Sequence, residues 1–189
     1  MSGFEERIER IEAQLAIQQL PARYAVAVDS RNLDDLVDLF AADVNCGRWG
    51  TGRDALKRYY ASPGVLGSFY RSVHLICGQT VDLIDADNAS GTVYCRAGHE
   101  DKGLWIEMAI CYFDHYVKSE GRWCFERRDE RHWYSTDWQS RPQGPGFQNW
   151  PGKFEGPKHA PRLPHAWPSW QRFWDAQGDA ARRAVTDTP

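Results

Sequence analysis

The sequence predicts an α+β domain, and two observations carry that expectation. Apolar residues recur every three or four positions in the N-terminal third, then every second position from about residue 70. Helical segments therefore come first and strands later, without the alternation that a parallel βαβ sheet requires. The strand-like runs are long and separated by short turn sequences, the spacing of an antiparallel meander.

The elements follow in order. Phe4, Ile8, Ile11 and Leu15 form one apolar stripe at steps of four, three and four. Pro21 is expected to break or restart this helix before a second stretch, ARYAVAVDSRN. Asn32 then caps a short helix in which Leu33, Leu36, Val37 and Phe40 share a face. Gly47, Gly50 and Gly52 mark a turn ahead of a third helix, RDALKRYYAS, which ends near Pro63. Four strands follow: RSVHLICGQTVDLID, GTVYCRAGHE, LWIEMAICYFDHYVK and GRWCFERRDERHWYS, with DADNASG and KSEGR supplying turn chemistry. From Ser140 the chain becomes Pro- and Gly-rich, and SWQRFWDAQGDAARRA reads as one closing helix. Nine Trp are present, six of them beyond residue 130, so the tail carries more aromatic surface than a disordered segment would.

Composition narrows the function. At 189 residues the chain can bury a core without metal or disulfide staples. Lys and Arg number 23 against 26 Asp and Glu, a net charge of −3, which lacks the basic footprint of a nucleic-acid binder. No apolar run reaches membrane-spanning length, and the charged N-terminus has no signal-peptide pattern, so no membrane association and a cytoplasmic location are expected. The five Cys, at 46, 77, 95, 111 and 124, are scattered without CxxC or Cys/His clusters. That spacing speaks against zinc and against a disulfide framework. Cys95, Cys111 and Cys124 read instead as small core hydrophobes. P-loop, GxGxxG, GxSxG and HExxH patterns are absent.

Two residues stand out chemically. Asp29 follows the apolar run YAVAV; it either caps the next turn or sits at the mouth of an apolar pocket. His74 lies inside a strand, between Val73 and Leu75, as a structural residue or as a base whose tautomer a carboxylate such as Asp29 fixes. Strict alternation puts Cys124, Glu126, Arg128, Glu130, His132 and Tyr134 on one face of the last strand, opposite Trp123, Phe125, Arg127 and Trp133. It also puts Val93, Cys95, Ala97 and His99 on a common face, which suits either a cavity wall or an edge facing water. His115 is expected to be exposed, and His159 and His165 lack ligand spacing.

The ordered set IQQLPARYAVAVDSRNLDDLVDLFAADV, GRDALKRYY, SVHLICGQTVDLIDADNASGTVYC and CYFDHYVKSEGRWCFERRDERHWY resembles the SnoaL-like group of the nuclear transport factor 2-like superfamily. The resemblance covers roughly residues 10–137. It implies a cone-shaped α+β barrel, a curved antiparallel sheet wrapped around N-terminal helices, as domain 1–137. Residues 138–189 would then be an irregular aromatic-rich extension packed on the same domain or on a neighbouring subunit.

The superfamily includes bile acid 7α-dehydratase, scytalone dehydratase and hexachlorocyclohexane dehydrochlorinase, as well as cyclases, isomerases and non-catalytic members. By similarity, His74 and Asp29 fall on the His–Asp pair of the eliminating enzymes, which use no cofactor. Tyr24 matches the Tyr of the bile acid enzyme. Arg128 matches the dehydrochlorinase's pocket Arg, and His132 occupies the place of the bile acid enzyme's Arg. His99 stands in for a pocket carboxylate missing at Ala97. Cys95, Ala97, Phe147 and Trp150 are further pocket candidates.

The resemblance thus implies a dehydratase acting on a hydrophobic hydroxylated substrate such as a steroid or polycyclic intermediate, and homo-oligomerisation as a dimer or trimer. Isomerisation or cyclisation by the same dyad, and a non-catalytic binding role or one like a dioxygenase small subunit, are the alternatives.

Overall fold

The computed structural model describes residues 3–137 and 167–186. Three helices, α1 (Phe4–Asp29), α2 (Leu33–Asp38) and α3 (Arg53–Tyr60), precede four strands, β1 (Arg71–Leu83), β2 (Asn88–Asp101), β3 (Leu104–Ser119) and β4 (Arg122–Asp137). Two short helices close the described chain, α4 (Pro168–Gln177) and α5 (Asp179–Thr186).

α1 runs unbroken through Pro21, contrary to the expected break. A proline's φ is already helical, so inside a helix it forfeits one hydrogen bond and crowds the preceding turn. Here burial compensates: Ile17, Leu20, Pro21, Tyr24 and Val28 form the face that packs on the core. The stripe Phe4, Ile8, Ile11 and Leu15 lies away from that face and is exposed. α2 begins as expected, with the Asn32 side chain accepting from the Asp35 N–H, and Leu36 and Val37 buried.

The sheet is a meander in the order β1-β2-β3-β4, every pair antiparallel. Its inner face meets the helices through Val93, Cys95, Ala97, Ile110, Tyr112, Tyr116 and Phe125. Register shifts leave Cys77 unpaired in β1, and Glu126 and Trp133 unpaired in β4. Each is a bulge, which bends its strand and resets which residues face inward.

The bulges correct the alternation expected for the last strand. Because Glu126 is the extra residue, Phe125 and Arg128 both face inward, where strict alternation had set them on opposite faces. On β2 the alternation holds: Val93, Cys95, Ala97 and His99 are buried, whereas Tyr94 and Arg96 are exposed. Gly98, between Ala97 and His99, lets the Trp105 indole lie on the sheet's outer face, because a Cβ there would stand 2.6 Å from the ring.

The single closing helix expected from sequence is two helices. Gly178, at φ +83°, ends α4, and α5 starts immediately after it. α4 buries Trp170, Phe173 and Trp174. Both indole N–H groups donate to the Tyr70 carbonyl, at 3.2 and 3.1 Å. The Lys102 N–H donates to the Val185 carbonyl at 2.6 Å, tying α5 to the β2–β3 turn. The remainder of the tail, with Phe147, Trp150, His159 and His165, lies outside the described residues. Among the described residues, no helix is long and apolar enough to cross a membrane.

Candidate active site

The C-terminus of α1 meets the start of β1, which brings together two residues 45 positions apart. His74 Nδ1 lies 2.6 Å from Asp29 Oδ1, with both side chains nearly inaccessible to solvent. Asp29 does not cap a turn. Its Oδ2 accepts the His74 backbone N–H at 2.7 Å, and Oδ1 also accepts the Ser72 hydroxyl at 2.7 Å.

A carboxylate at a helix C-terminus opposes the helix dipole, so these donors are what hold it. Burial pushes the Asp29 carboxyl up, but His74 and the surrounding hydrogen bonds outweigh burial and keep it below the usual range. The ionised carboxylate can only accept, so Nδ1 carries the hydrogen. In the neutral ring, Nε2 then holds the lone pair.

A second layer fixes Asp29. The buried Arg31, at φ +56°, donates through Nη1 to the Val28 carbonyl at 2.7 Å and to the Ser72 hydroxyl at 2.9 Å. Its Nη2 donates to the Phe69 carbonyl at 3.3 Å. Burial lowers the Arg31 pKa to about 10, still well above neutral. The chain Arg31–Ser72–Asp29–His74 is therefore a continuous hydrogen-bonded line from a cation to the imidazole.

His74 lines a cavity of about 1200 Å³ between the helices and the inner sheet face, with Phe40, Phe69, Ile106, Met108 and Ile110 among its apolar walls. That volume is ample for a polycyclic ligand. His99 also lines it, its ring 5.5 Å from His74 and edge-on to Phe69 at 4.5 Å. Burial first, then interactions with His74 and Arg31, lower the His99 pKa to about 3. The ring is neutral, and among the described residues its Nδ1 has no hydrogen-bond partner.

Tyr24 lies in the same wall, its hydroxyl accepting from Tyr60 at 3.4 Å. Burial pushes Tyr24 up to about 12 despite the nearby Arg128, so its hydroxyl keeps its proton as a donor. Arg128 faces inward and lines the cavity, its side chain nearly inaccessible to solvent. Its Nε and Nη2 pair with Asp114 at 2.9 and 2.8 Å. Its guanidinium carbon lies 4.3 Å from the Tyr24 ring centroid, 4.1 Å from Tyr112 and 4.4 Å from Phe125. Burial works against its charge, but Asp114 more than offsets that and raises the pKa. Nη1 has no partner among the described residues.

The other expected residues fall elsewhere. His132 is exposed near the end of β4 and does not line the cavity. It pairs with Ile110, and among the described residues β4 is an edge strand with no further strand beside it. Cys95 and Ala97 share the inward face of His99 but belong to the buried core and are not among the residues that line the cavity. β2 is an interior strand, so His99 is not an edge residue facing water. His115 is exposed. Cys95, Cys111 and Cys124 are buried free thiols. Among the described residues, no group of three or more His, Cys, Asp or Glu could hold a metal ion.

Arg31, Ser72, Tyr60 and Asp114 belong to the site but were not singled out from sequence. Ser72 sits two positions before His74, hence on the same strand face, and Asp114 alternates with Tyr112 and Tyr116. That signal was present in the parity of each strand. Arg31 had no such signal, because its role depends on a left-handed turn after α1.

Helices packed against the inner face of an antiparallel meander form the cone-shaped α+β fold of the nuclear transport factor 2-like superfamily, and the His74–Asp29 pair lies at the wall of its cavity. The chain belongs to the SnoaL-like domain family, whose model matches residues 9–129. Over 131 residues it is 30% identical to the uncharacterized protein Rv2910c of Mycobacterium tuberculosis, covering 65% of this chain and 87% of that one. Among solved structures, hexachlorocyclohexane dehydrochlorinase LinA-type3 of Novosphingobium barchaimii superposes with a TM-score of 0.62 at 22% identity, over 71% of this chain and 96% of that one. A provisionally assigned scytalone dehydratase of Novosphingobium aromaticivorans superposes with a TM-score of 0.59 at 25% identity, over 71% and 93%.

Proposed function

We propose that the protein is a cofactor-independent carbon–oxygen lyase, a dehydratase of a hydrophobic hydroxylated substrate such as a steroid or polycyclic intermediate. The observation that carries the reading is the 2.6 Å His74–Asp29 contact at the wall of a cavity that Phe40, Phe69, Ile106, Met108 and Ile110 also line. The dehydratase name of the relative at 25% identity agrees with it.

His74 Nε2 takes a proton from a carbon acidified by a neighbouring carbonyl. Asp29 holds the ring through Nδ1 and stabilises the imidazolium that forms. The electron pair of the broken C–H bond becomes the new C=C bond, the C–O bond breaks, and the hydroxyl leaves as water with the proton that His74 Nε2 abstracted, which returns the ring to its neutral form. Tyr24 donates a hydrogen bond to the enolate or to the departing oxygen, and the Arg128 cation stabilises the developing negative charge from the cavity wall. Neutral His99, on the cavity wall, orients a polar group of the substrate.

Incubation with a panel of hydroxylated ketosteroids and polycyclic hydroxyketones, read by mass spectrometry, tests this. The reading requires a product lighter by one water. A product of unchanged mass makes the protein an isomerase or cyclase using the same dyad, and no turnover across the panel favours a binding role.

A further inference from the structure

The described residues leave one apolar stripe of α1 uncovered. Phe4, Ile8, Ile11 and Leu15 are 74, 39, 54 and 57% exposed. At 3.6 residues per turn these four lie within about 60° of one another and roughly opposite the core-facing Ile17, Leu20 and Tyr24. The helix thus carries two apolar faces, and the described domain covers one. Scattered surface apolar residues need no explanation, but an aligned row of four does.

We propose that this stripe is the seam of a parallel coiled coil with α1 of a second copy of the chain. The spacing of four, three and four places Ile8 and Leu15 at a positions, and Phe4 and Ile11 at d positions. The charges flanking the seam choose the partner and its direction. Glu5 and Glu12 occupy e positions and Arg7 a g position. In a parallel pair the g residue of one helix faces the e residue five positions on in its partner, which sets Arg7 against Glu12 in both directions. Gln14 and Gln19 then make the next such pair, neutral on both sides. An antiparallel pair would oppose e positions to each other and bring Glu5 and Glu12 together, a like-charge contact that disfavours it. The seam is complementary to itself in one orientation, which makes a second copy its natural occupant.

Sedimentation equilibrium of the full chain tests this. Wild type should self-associate. Ile8→Asp with Ile11→Asp should weaken association by at least about 100-fold, since each buried Ile contributes on the order of 1.5–3 kcal/mol. The thermal transition of the dilute protein should be unchanged, because both residues are exposed in the monomer. Arg7→Glu should weaken association by about twofold to fivefold, and adding Glu12→Arg should restore it. A monomeric wild type would overturn the proposal, whether the stripe is then bare or covered by another segment of the same chain. Association indifferent to the Ile pair would do the same. Association that depends on the Ile pair but is not restored by the charge swap would overturn the parallel arrangement.

Discussion

Phe173, on a C-terminal helix beyond the family match, lies over the guanidinium of Arg31, 5.6 Å from it to the ring centroid. Phe69 stacks on the same guanidinium at 4.9 Å, and the Ser169 hydroxyl donates to the Ser30 carbonyl at 2.6 Å. Arg31 in turn holds Ser72, and Ser72 holds Asp29. The tail therefore supports the carboxylate of the proposed dyad from behind. Phe173→Ala should cost about 3–5 kcal/mol, as expected for a buried Phe. Chemical denaturation will measure it.

Ser72 connects the buried cation to Asp29, so its loss leaves donors and acceptors unpaired. Ser72→Ala should destabilise by about 1–3 kcal/mol, with no cavity term large enough to explain the loss. Ser72→Thr, which keeps the hydroxyl, should recover much of it. The midpoints of urea unfolding curves give the comparison.

Arg128 and Asp114 are a two-point ion pair with essentially no solvent access. Removing either partner strands the other charge among Tyr24, Tyr112 and Phe125. Asp114→Ala should therefore cost about 3–5 kcal/mol. A loss below 1 kcal/mol on thermal unfolding would show the pair to be hydrated.

How far the sequence reached depends on the kind of contact. Periodicity located all four strands to within a few residues, and the pairing of His74 with Asp29 was anticipated through the family resemblance. Strand parity grouped His99 with Val93, Cys95 and Ala97 but left cavity and solvent open for that face; the grouping holds because β2 is regular. The same rule failed on β4, where the bulges at Glu126 and Trp133 reset the count. A bulge is set by how the sheet must curve around the helices, which no local pattern announces. Pro21 misled for a related reason: its local cost is real, but burial of the helix face containing it overrides a single lost hydrogen bond. Arg31 escaped notice because only the folded turn brings it under Ser72.

Burial makes His99 a source of pH dependence. Its pKa falls from 6.5 in an ordinary setting to about 3 in the fold. Between those values the unfolded chain binds the proton and the folded chain does not. His99 therefore contributes its full stability above pH 6.5, and the protein loses it as pH falls towards 3, by up to about 1.4 kcal/mol per pH unit. His99→Leu should flatten the stability profile between about pH 4.5 and 6.5, above the range where carboxylates dominate. An unchanged slope in that window would place the wild-type ring in contact with water.

In the proposed reaction His74 and Asp29 act as one base. The most direct test is kcat/KM for His74→Ala, Asp29→Asn and the double variant on a substrate found to turn over. Each single change should cost about 10²–10⁴-fold, with the double variant no slower than the slower single variant, because the second loss removes a partner already disabled. Folding should be intact by circular dichroism. Wild-type turnover in folded His74→Ala, or losses that simply multiply in the double variant, would contradict the account.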